Sequence, residues 1–562
     1  MNERRTTEMS TSEVWDEIVV GAGSSGAVLA ARLSEQPDRR VLLLEAGPDF
    51  PDPEHLPEPL RDARLPVTAG YNWDFAANLR SSGRFQNLLQ SAAVAAMAPR
   101  DMFSAARAAM RAPQPLSATL QQFPYFLGRV VGGSSAVNGA VALRPFPEDF
   151  ARWAALGNAG WSWDDVLPAF RKIETDHDFP SALHGSEGPL PVRRPSTRAL
   201  HDLQAAFLEA CRGLGLADVA DMNGSSAPGV GPVPVNSVDH VRVSTAIAYL
   251  APARGRPNLT VRGGCTVARV VFEGRRAVGV EVVSADGRRA IVYGKRITLS
   301  AGAVNTPAVL LRSGVGNEGL CRSLDVAPVL DLPGVGENLA DHPAVMFWMV
   351  PRDGEGPEAS LSHEVMARAA SAPGRTPDLN LFILSNFHTS SVPMLGDLLR
   401  SPRANAISVV LSDPASRGRV FLEDPDPASK PVIELNFGSA PEDVERLKAG
   451  VRLAWKIVQS RPIAERTRSV FLWTEAIVGS DHLLKSAIDR FINATWHPVG
   501  TAKMGPAADR MAVVDPRFRV HGLEGLRVVD ASVMPVIPRA PTSMTCMVLA
   551  ERAAEWMARE TD

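Results

Sequence analysis

The chain has 562 residues, enough for roughly two to four domains. Its 59 lysines and arginines nearly balance 62 aspartates and glutamates, and this net charge of −3 excludes the broad basic surface of a nucleic-acid binder. With 45% hydrophobic and 22% charged residues the composition is that of a globular protein, and no apolar run nears the roughly 18–20 residues that span a bilayer. The polar N-terminus, MNERRTTEMSTSEVWDE, lacks the apolar stretch of a signal peptide. The four cysteines (Cys211, Cys265, Cys321, Cys546) form no CxxC pair, so neither a disulfide scaffold nor a metal site is expected, and the protein is expected to be cytoplasmic.

In chain order, the run VWDEIVV from Val14 reads as a buried strand, because β-branched residues fill it. It leads into Gly21-Ala-Gly-Ser-Ser-Gly26 and a helical segment over 27–33, and then into a second apolar strand over 40–45. This β-α-β unit predicts a parallel sheet covered by helices. Further strands are expected over 259–261, 268–272, 277–283, 296–299 and 526–529, with helices over 306–312, 442–458 and 545–557. Residues 85–98 and 100–112 read as two Ala/Met-rich helices separated by Pro99, a lid or a subunit contact.

The G-x-G-x-x-G of Gly21, Gly23 and Gly26 follows a strand and opens a helix, as dinucleotide binding requires. Gly21 permits the turn, Gly23 lets backbone approach a pyrophosphate, and Gly26 lets helix and strand pack closely. The helix N-terminus offers free N–H groups to phosphate. Glu45 ends the next strand 19 residues after Gly26, where its carboxylate can accept from ribose hydroxyls. The motif alone does not choose between NAD and FAD.

The choice comes from GRVVGGSSAVN (128–138), a second glycine- and hydroxyl-rich stretch. Together with SAGAVNTPAVLLRSGVG (300–316), GVGENLADHP (334–343), WHPVGTAKMG (496–505) and LRVVDASVMP (526–535), it resembles the glucose–methanol–choline (GMC) family of FAD-dependent oxidoreductases over nearly the whole chain. The resemblance implies an α/β, Rossmann-like FAD domain assembled from 14–80, 121–150, 235–345 and 496–562. It also implies a substrate domain of antiparallel sheet and helices from 151–234 and 346–495.

By motif match the FAD would lie along Gly21, Gly23, Ser24, Ser25, Gly26, Glu45 and Ala46. Beyond the ADP half it would meet Arg129, Val131, Gly133, Ser134, Asn138, Gly139 and Ala140. The match extends to Val267, Ala301, Gly302, Trp496, Asp530, Ala531 and Thr542. Some relatives attach FAD through a histidine just before the asparagine; Val137 stands there, so non-covalent FAD is expected.

His497 matches the family's active-site histidine and is expected to take the hydroxyl proton of an alcohol while its carbinol hydrogen leaves as hydride. His342, in the Asp-His-Pro block, reads as a structural histidine. The family's second polar partner falls at Pro541, which has no side-chain donor or acceptor. Thr542 or Ser543 are the substitutes if the loop shifts, and Arg539 is a candidate for stabilising an oxyanion.

The expected function is FAD-dependent oxidation of a small or medium organic alcohol. The alternatives are a lyase or other non-oxidising flavoprotein on the same fold, and an FAD-retaining partner protein without catalysis. The sequence does not choose among oxygen, a quinone or a protein as electron acceptor, nor set the oligomeric state.

Overall fold

The computed structural model describes residues 14–80, 122–352, 361–391 and 395–560. The segment 85–112, expected to be a helical insertion, lies outside the described residues. The strand Val14–Val20 sits centrally in a seven-stranded sheet, where Ile18 and Val19 are fully buried. Such two-sided burial explains a continuous apolar run rather than an alternating one.

Val14–Val20 pairs in parallel with Val41–Leu44 on one side and Arg289–Leu299 on the other. Leu259–Arg262 and Leu526–Val528 extend the parallel part outward. The antiparallel strands Arg276–Ser284 and Cys265–Glu273 continue from the first half of Arg289–Leu299. The helices Gly26–Leu33, Gly302–Arg312 and Ser543–Arg559 share this sheet's core. Each fully buried Leu or Val there contributes about 1.5–3 kcal/mol by leaving water.

The second seven-stranded sheet is antiparallel. Its order is Thr467–Val470, Pro343–Pro351, Arg403–Leu411, Leu379–His388, Val365–Ala369 and Gly229–Pro232, and Ile492–Ala494 pairs with the start of Pro343–Pro351. Alternation along these strands sorts the side chains by face. Val345, Phe347, Leu381, Ile383, Ile407 and Val409 share a core with Leu447 and Val451 of the helix Pro441–Gln459. The residues between them, among them Met346, Trp348, Phe382, Leu384, Ser408 and Val410, line a large cavity.

A four-stranded sheet of Arg419–Phe421, Val432–Glu434, Phe75–Asn78 and Gln122–Tyr125 stitches segments from the two expected domains together. Among the described residues no helix is long and apolar enough to cross a membrane.

Candidate active site

Two glycine loops meet at the ends of the parallel strands. Gly21 has φ +95°, and a Cβ there would lie 2.5 Å from the Ser300 carbonyl oxygen. On Gly133, φ +52°, a Cβ would sit 2.5 Å from the Gly23 Cα. The backbones of 21–26 and 128–134 therefore touch where any side chain would force them apart. Gly26 does not line the cavity; a Cβ there would lie 1.9 Å from the Gly21 carbonyl oxygen, so its part is to close the turn. The helix Gly26–Leu33 carries no side-chain cap at its N-terminus; the Ala27 N–H donates to the Gly23 carbonyl (3.0 Å), and the positive dipole end faces the loop.

Glu45 accepts from the Ala22 N–H (2.9 Å) and the Gly47 N–H (2.8 Å). Burial pushes its pKa up to about 7, against the pull of those two amides. The Cys265 N–H donates to the Glu45 carbonyl (2.8 Å), which brings Val267 to the same wall as Ala46.

Asp530 is buried and fully engaged. It accepts from the Gly302 N–H (2.9 Å), Thr306 Oγ1 (2.6 Å), and the Ser532 N–H and hydroxyl (2.8 and 2.5 Å). It thus ties the start of the helix Gly302–Arg312 to the turn that carries Ala531. Ser24, Ala301 and Thr542 line the cavity, as does Ser25, whose hydroxyl donates to the Cys546 carbonyl.

Arg129, Ser134, Asn138 and Gly139 line it from the second loop, with the Arg129 guanidinium 5.1 Å from the centre of the Trp73 ring. Val131 and Ala140 do not reach the wall: both are packed into apolar clusters, and the Val131 N–H donates to the Pro48 carbonyl. Arg539 is also turned away, because its guanidinium pairs with Asp149 (2.5 Å) and Asp413 (3.0 Å). Pro541, Thr542 and Ser543 do face the cavity.

His497 follows the short strand Ile492–Ala494 and projects into the cavity from a turn in which Trp496 has φ +62°. Trp496 is fixed by its Nε1–H donating to the Pro124 carbonyl (3.1 Å). The backbone of the turn is gripped by buried Asp341, which accepts from the N–H groups of His342 (2.7 Å) and His497 (2.9 Å) and from the Tyr125 hydroxyl.

His342 Nε2 lies 3.0 Å from the Pro538 carbonyl oxygen, and His342 Nδ1 lies 3.0 Å from His497 Nδ1. A carbonyl only accepts, so His342 carries its proton on Nε2 and offers a bare Nδ1. His497 must then donate from Nδ1, a proton it shares with Thr495 Oγ1 at 3.0 Å. The hydrogen-bond chain leaves the lone pair of His497 on Nε2, facing the cavity. Burial holds both rings neutral: it lowers the His342 pKa to about 4 and takes that of His497 well below the ordinary value.

The sequence reading of His342 as structural missed this contact. Residues 155 apart met because Pro343–Pro351 and Ile492–Ala494 pair, which no local motif announces. The Asp-His-Pro block was the only available signal. A second unannounced residue is His363, whose Nε2–H donates to the Gly139 carbonyl (2.9 Å) while Ser362 occupies its Nδ1 (2.8 Å).

The cavity joining these groups has a volume of about 1300 Å³. One end runs along the glycine loops, and the other lies over the antiparallel sheet.

Residues 15–344 and 414–550 match the two GMC oxidoreductase family models. The chain is 33% identical over 566 residues to the 5-(hydroxymethyl)furfural oxidase of Methylovorus sp. (strain MP688), covering 97% of this chain and 99% of that one. It is 35% identical to the mitochondrial choline dehydrogenase of Mus musculus, covering 96% and 88%. Pyridoxine 4-oxidase from Mesorbium loti superposes with a TM-score of 0.82 at 28% identity, covering 98% of this chain and all of that one. With both family models matched in order across a fold of this kind, the chain belongs to the GMC oxidoreductase family.

Proposed function

We propose that the protein oxidises the CH–OH group of an organic alcohol, with His497 as the base and non-covalent FAD as the electron acceptor. The observation that carries the reading is the lone pair of His497 Nε2, fixed toward the cavity by the chain Pro538–His342–His497.

The residues present fit FAD. The contact of Gly23 with Gly133 leaves two backbones bare along one edge of the cavity, and the uncapped, dipole-positive N-terminus of Gly26–Leu33 suits a pyrophosphate. Glu45 and Val267 would hold the adenosine end, and Arg129, Ser134, Asn138 and Ala531 the rest. FAD bound there supplies a two-electron acceptor for the carbinol hydride. Val137 offers no nucleophile for a covalent link, and acid precipitation is expected to leave all the FAD in the supernatant; flavin in the pellet would refute this.

The chain's own part is proton handling and orientation. His497 Nε2 takes the hydroxyl proton, and the resulting charge is shared through Nδ1–H with His342 and Thr495. Pro541 adds no second acid–base group. Relatives named for the oxidation of 5-(hydroxymethyl)furfural, choline and pyridoxine support an alcohol as the substrate class.

His497→Ala is expected to retain FAD while slowing anaerobic flavin reduction by about 10²–10⁴-fold, the range for loss of a general base. Because burial keeps His497 neutral, the wild-type rate should stay flat above neutrality and fall only in acid. An unchanged rate in the variant would remove His497 from the mechanism.

A further inference from the structure

Resting on the reading above, we propose that the substrate is an alcohol with a flat apolar body that carries no positive charge, of the aryl-methanol kind, and that quaternary ammonium alcohols are rejected. The sheet's register builds the floor on which such a body would lie. Met346 stands opposite Ser408, which stands opposite Phe382; in the next row Trp348 and Leu384 flank Ala406. Alternation turns Met346, Trp348, Phe382, Leu384 and Ser408 to the cavity, two residues apart along their strands.

The walls are aromatic, and some of their rings pack on one another. Trp496 is stacked with Phe123 at 6.1 Å and tilted against Phe126 at 5.3 Å, and Trp348 meets Phe387 at 5.5 Å. Rings paired in this way present slabs to a planar guest.

Charge decides the matter further. Among the described lining residues the carboxylates are Glu45, Asp426 and Asp530. Glu45 and Asp530 are engaged by backbone amides at the glycine loops, and Asp426 lies beside Arg312, at the far end of the helix Gly302–Arg312. None stands on the sheet floor or the aromatic walls. The ionic side chain on the adjoining helix Asp481–Phe491 that reaches the cavity is Arg490, a cation. A quaternary ammonium lying on this floor would lose its hydration with no carboxylate of the described lining residues beside it. The polar groups of the floor, Ser408 and Asn380, are neutral hydrogen-bonding partners for a ring substituent.

The test uses the holoenzyme. Anaerobic flavin reduction is measured with benzyl alcohol and with choline, and binding of two non-reacting probes, benzamide and tetramethylammonium, is measured by calorimetry. Benzyl alcohol should exceed choline by at least about 100-fold in reduction efficiency, the discrimination expected when a charge must be desolvated unpaired. Benzamide should bind saturably and tetramethylammonium should not.

Choline reducing the flavin as well as benzyl alcohol, or tetramethylammonium binding more tightly than benzamide, would overturn the proposal. If no alcohol of any kind reduces the flavin while benzamide still binds, the oxidation reading falls and the chamber's preference stands. Phe382→Ala should weaken benzamide by about tenfold or more, as loss of a large buried contact does. Met346→Glu, which sets a carboxylate on the floor, should weaken benzamide and confer binding of tetramethylammonium. Failure of both variants to move either probe would also overturn the assignment of the floor.

Discussion

The two ends of the cavity are built on opposite principles. The glycine-loop end is made of backbone: Gly21, Gly23 and Gly133 matter for what they lack, and the chemistry is that of N–H groups and one helix terminus. The sheet end is made of side chains brought together by register, with Met346, Ser408 and Phe382 contributed by three strands. Backbone sites tolerate almost no substitution, because a single Cβ collides with another main chain. Side-chain sites can change guest by exchanging one residue on a strand that still pairs. An end that resists substitution and an end that admits it are thereby separated within one cavity.

The sharpest way to break this comparison is at the backbone end. Gly133→Ala places a methyl group 2.5 Å from the Gly23 Cα on a residue with φ +52°. Strain of this kind costs about 1–3 kcal/mol even before the loops separate. Purified protein is expected to carry little or no FAD and to show a lowered melting temperature. Full FAD content at an unchanged melting temperature would mean that the two loops need not touch.

A smaller effect is expected between the two ends, at His342. His342→Leu removes the acceptor that fixes the His497 tautomer and strips the Pro538 carbonyl of its donor. FAD should be retained, and anaerobic flavin reduction should slow by about 10–100-fold, less than for loss of the base itself. His342→Gln, whose amide can donate to Pro538 and accept from His497, should recover part of the rate. Equal rates in wild type and His342→Leu would show that Thr495 alone suffices to hold the His497 proton.

The same contrast explains what could be read in the sequence. Gly21–Glu45 is one continuous β-α-β unit, so its strands, helix and acid follow from spacing, and Val14–Val20, Leu259–Arg262 and the long C-terminal helix match the expected segments closely. His497 was legible because a whole local block carries it. The His342 contact, the Asp341 grip and the sheet floor were not, since they depend on pairing between separate strands, such as Met346 with Ser408 and Pro343 with Ala494, that no local motif announces. Arg539 was misplaced for a related reason: its neighbours in sequence face the cavity, but Asp149 and Asp413, far away in the chain, draw its guanidinium out of it.

The smallest expected effect concerns the segment that joins the two ends. Residues 138–144 run from the cavity-lining Asn138 to Arg144, which is anchored in a buried ionic cluster. Arg144 pairs with Glu174, Arg194 with Asp176 (2.6 Å) and Asp221 (2.7 Å), and His184 with Glu174, Asp176 and Asp221 at 2.9 Å each. Both nitrogens of His184 face only carboxylates, so both must donate, and the ring is an imidazolium. Glu174, Asp176 and Asp221 thus face two guanidiniums and one imidazolium, with Asp178 a further carboxylate 3.6 Å from Arg194 and the Phe179 ring against His184. Glu174, Asp176 and His184 have the spacing of a metal site, but an imidazolium that donates from both nitrogens offers no lone pair to a cation.

Despite the opposing desolvation, the carboxylates raise the His184 pKa to about 10 from the usual 6.5. A pKa raised on folding gives stability that is fully present below the unfolded value and is lost as pH climbs through the folded one. The melting temperature of the wild type should therefore decline steadily from about pH 7 to about pH 10. His184→Gln should melt lower at neutral pH and show a flatter decline, because it has no proton to lose. Since Arg144 continues from the segment whose Asn138 and Gly139 line the cavity, FAD release in the wild type should follow the same alkaline course. Parallel pH slopes in the two proteins would place the alkaline transition elsewhere and leave His184 with no part in joining the cavity's ends.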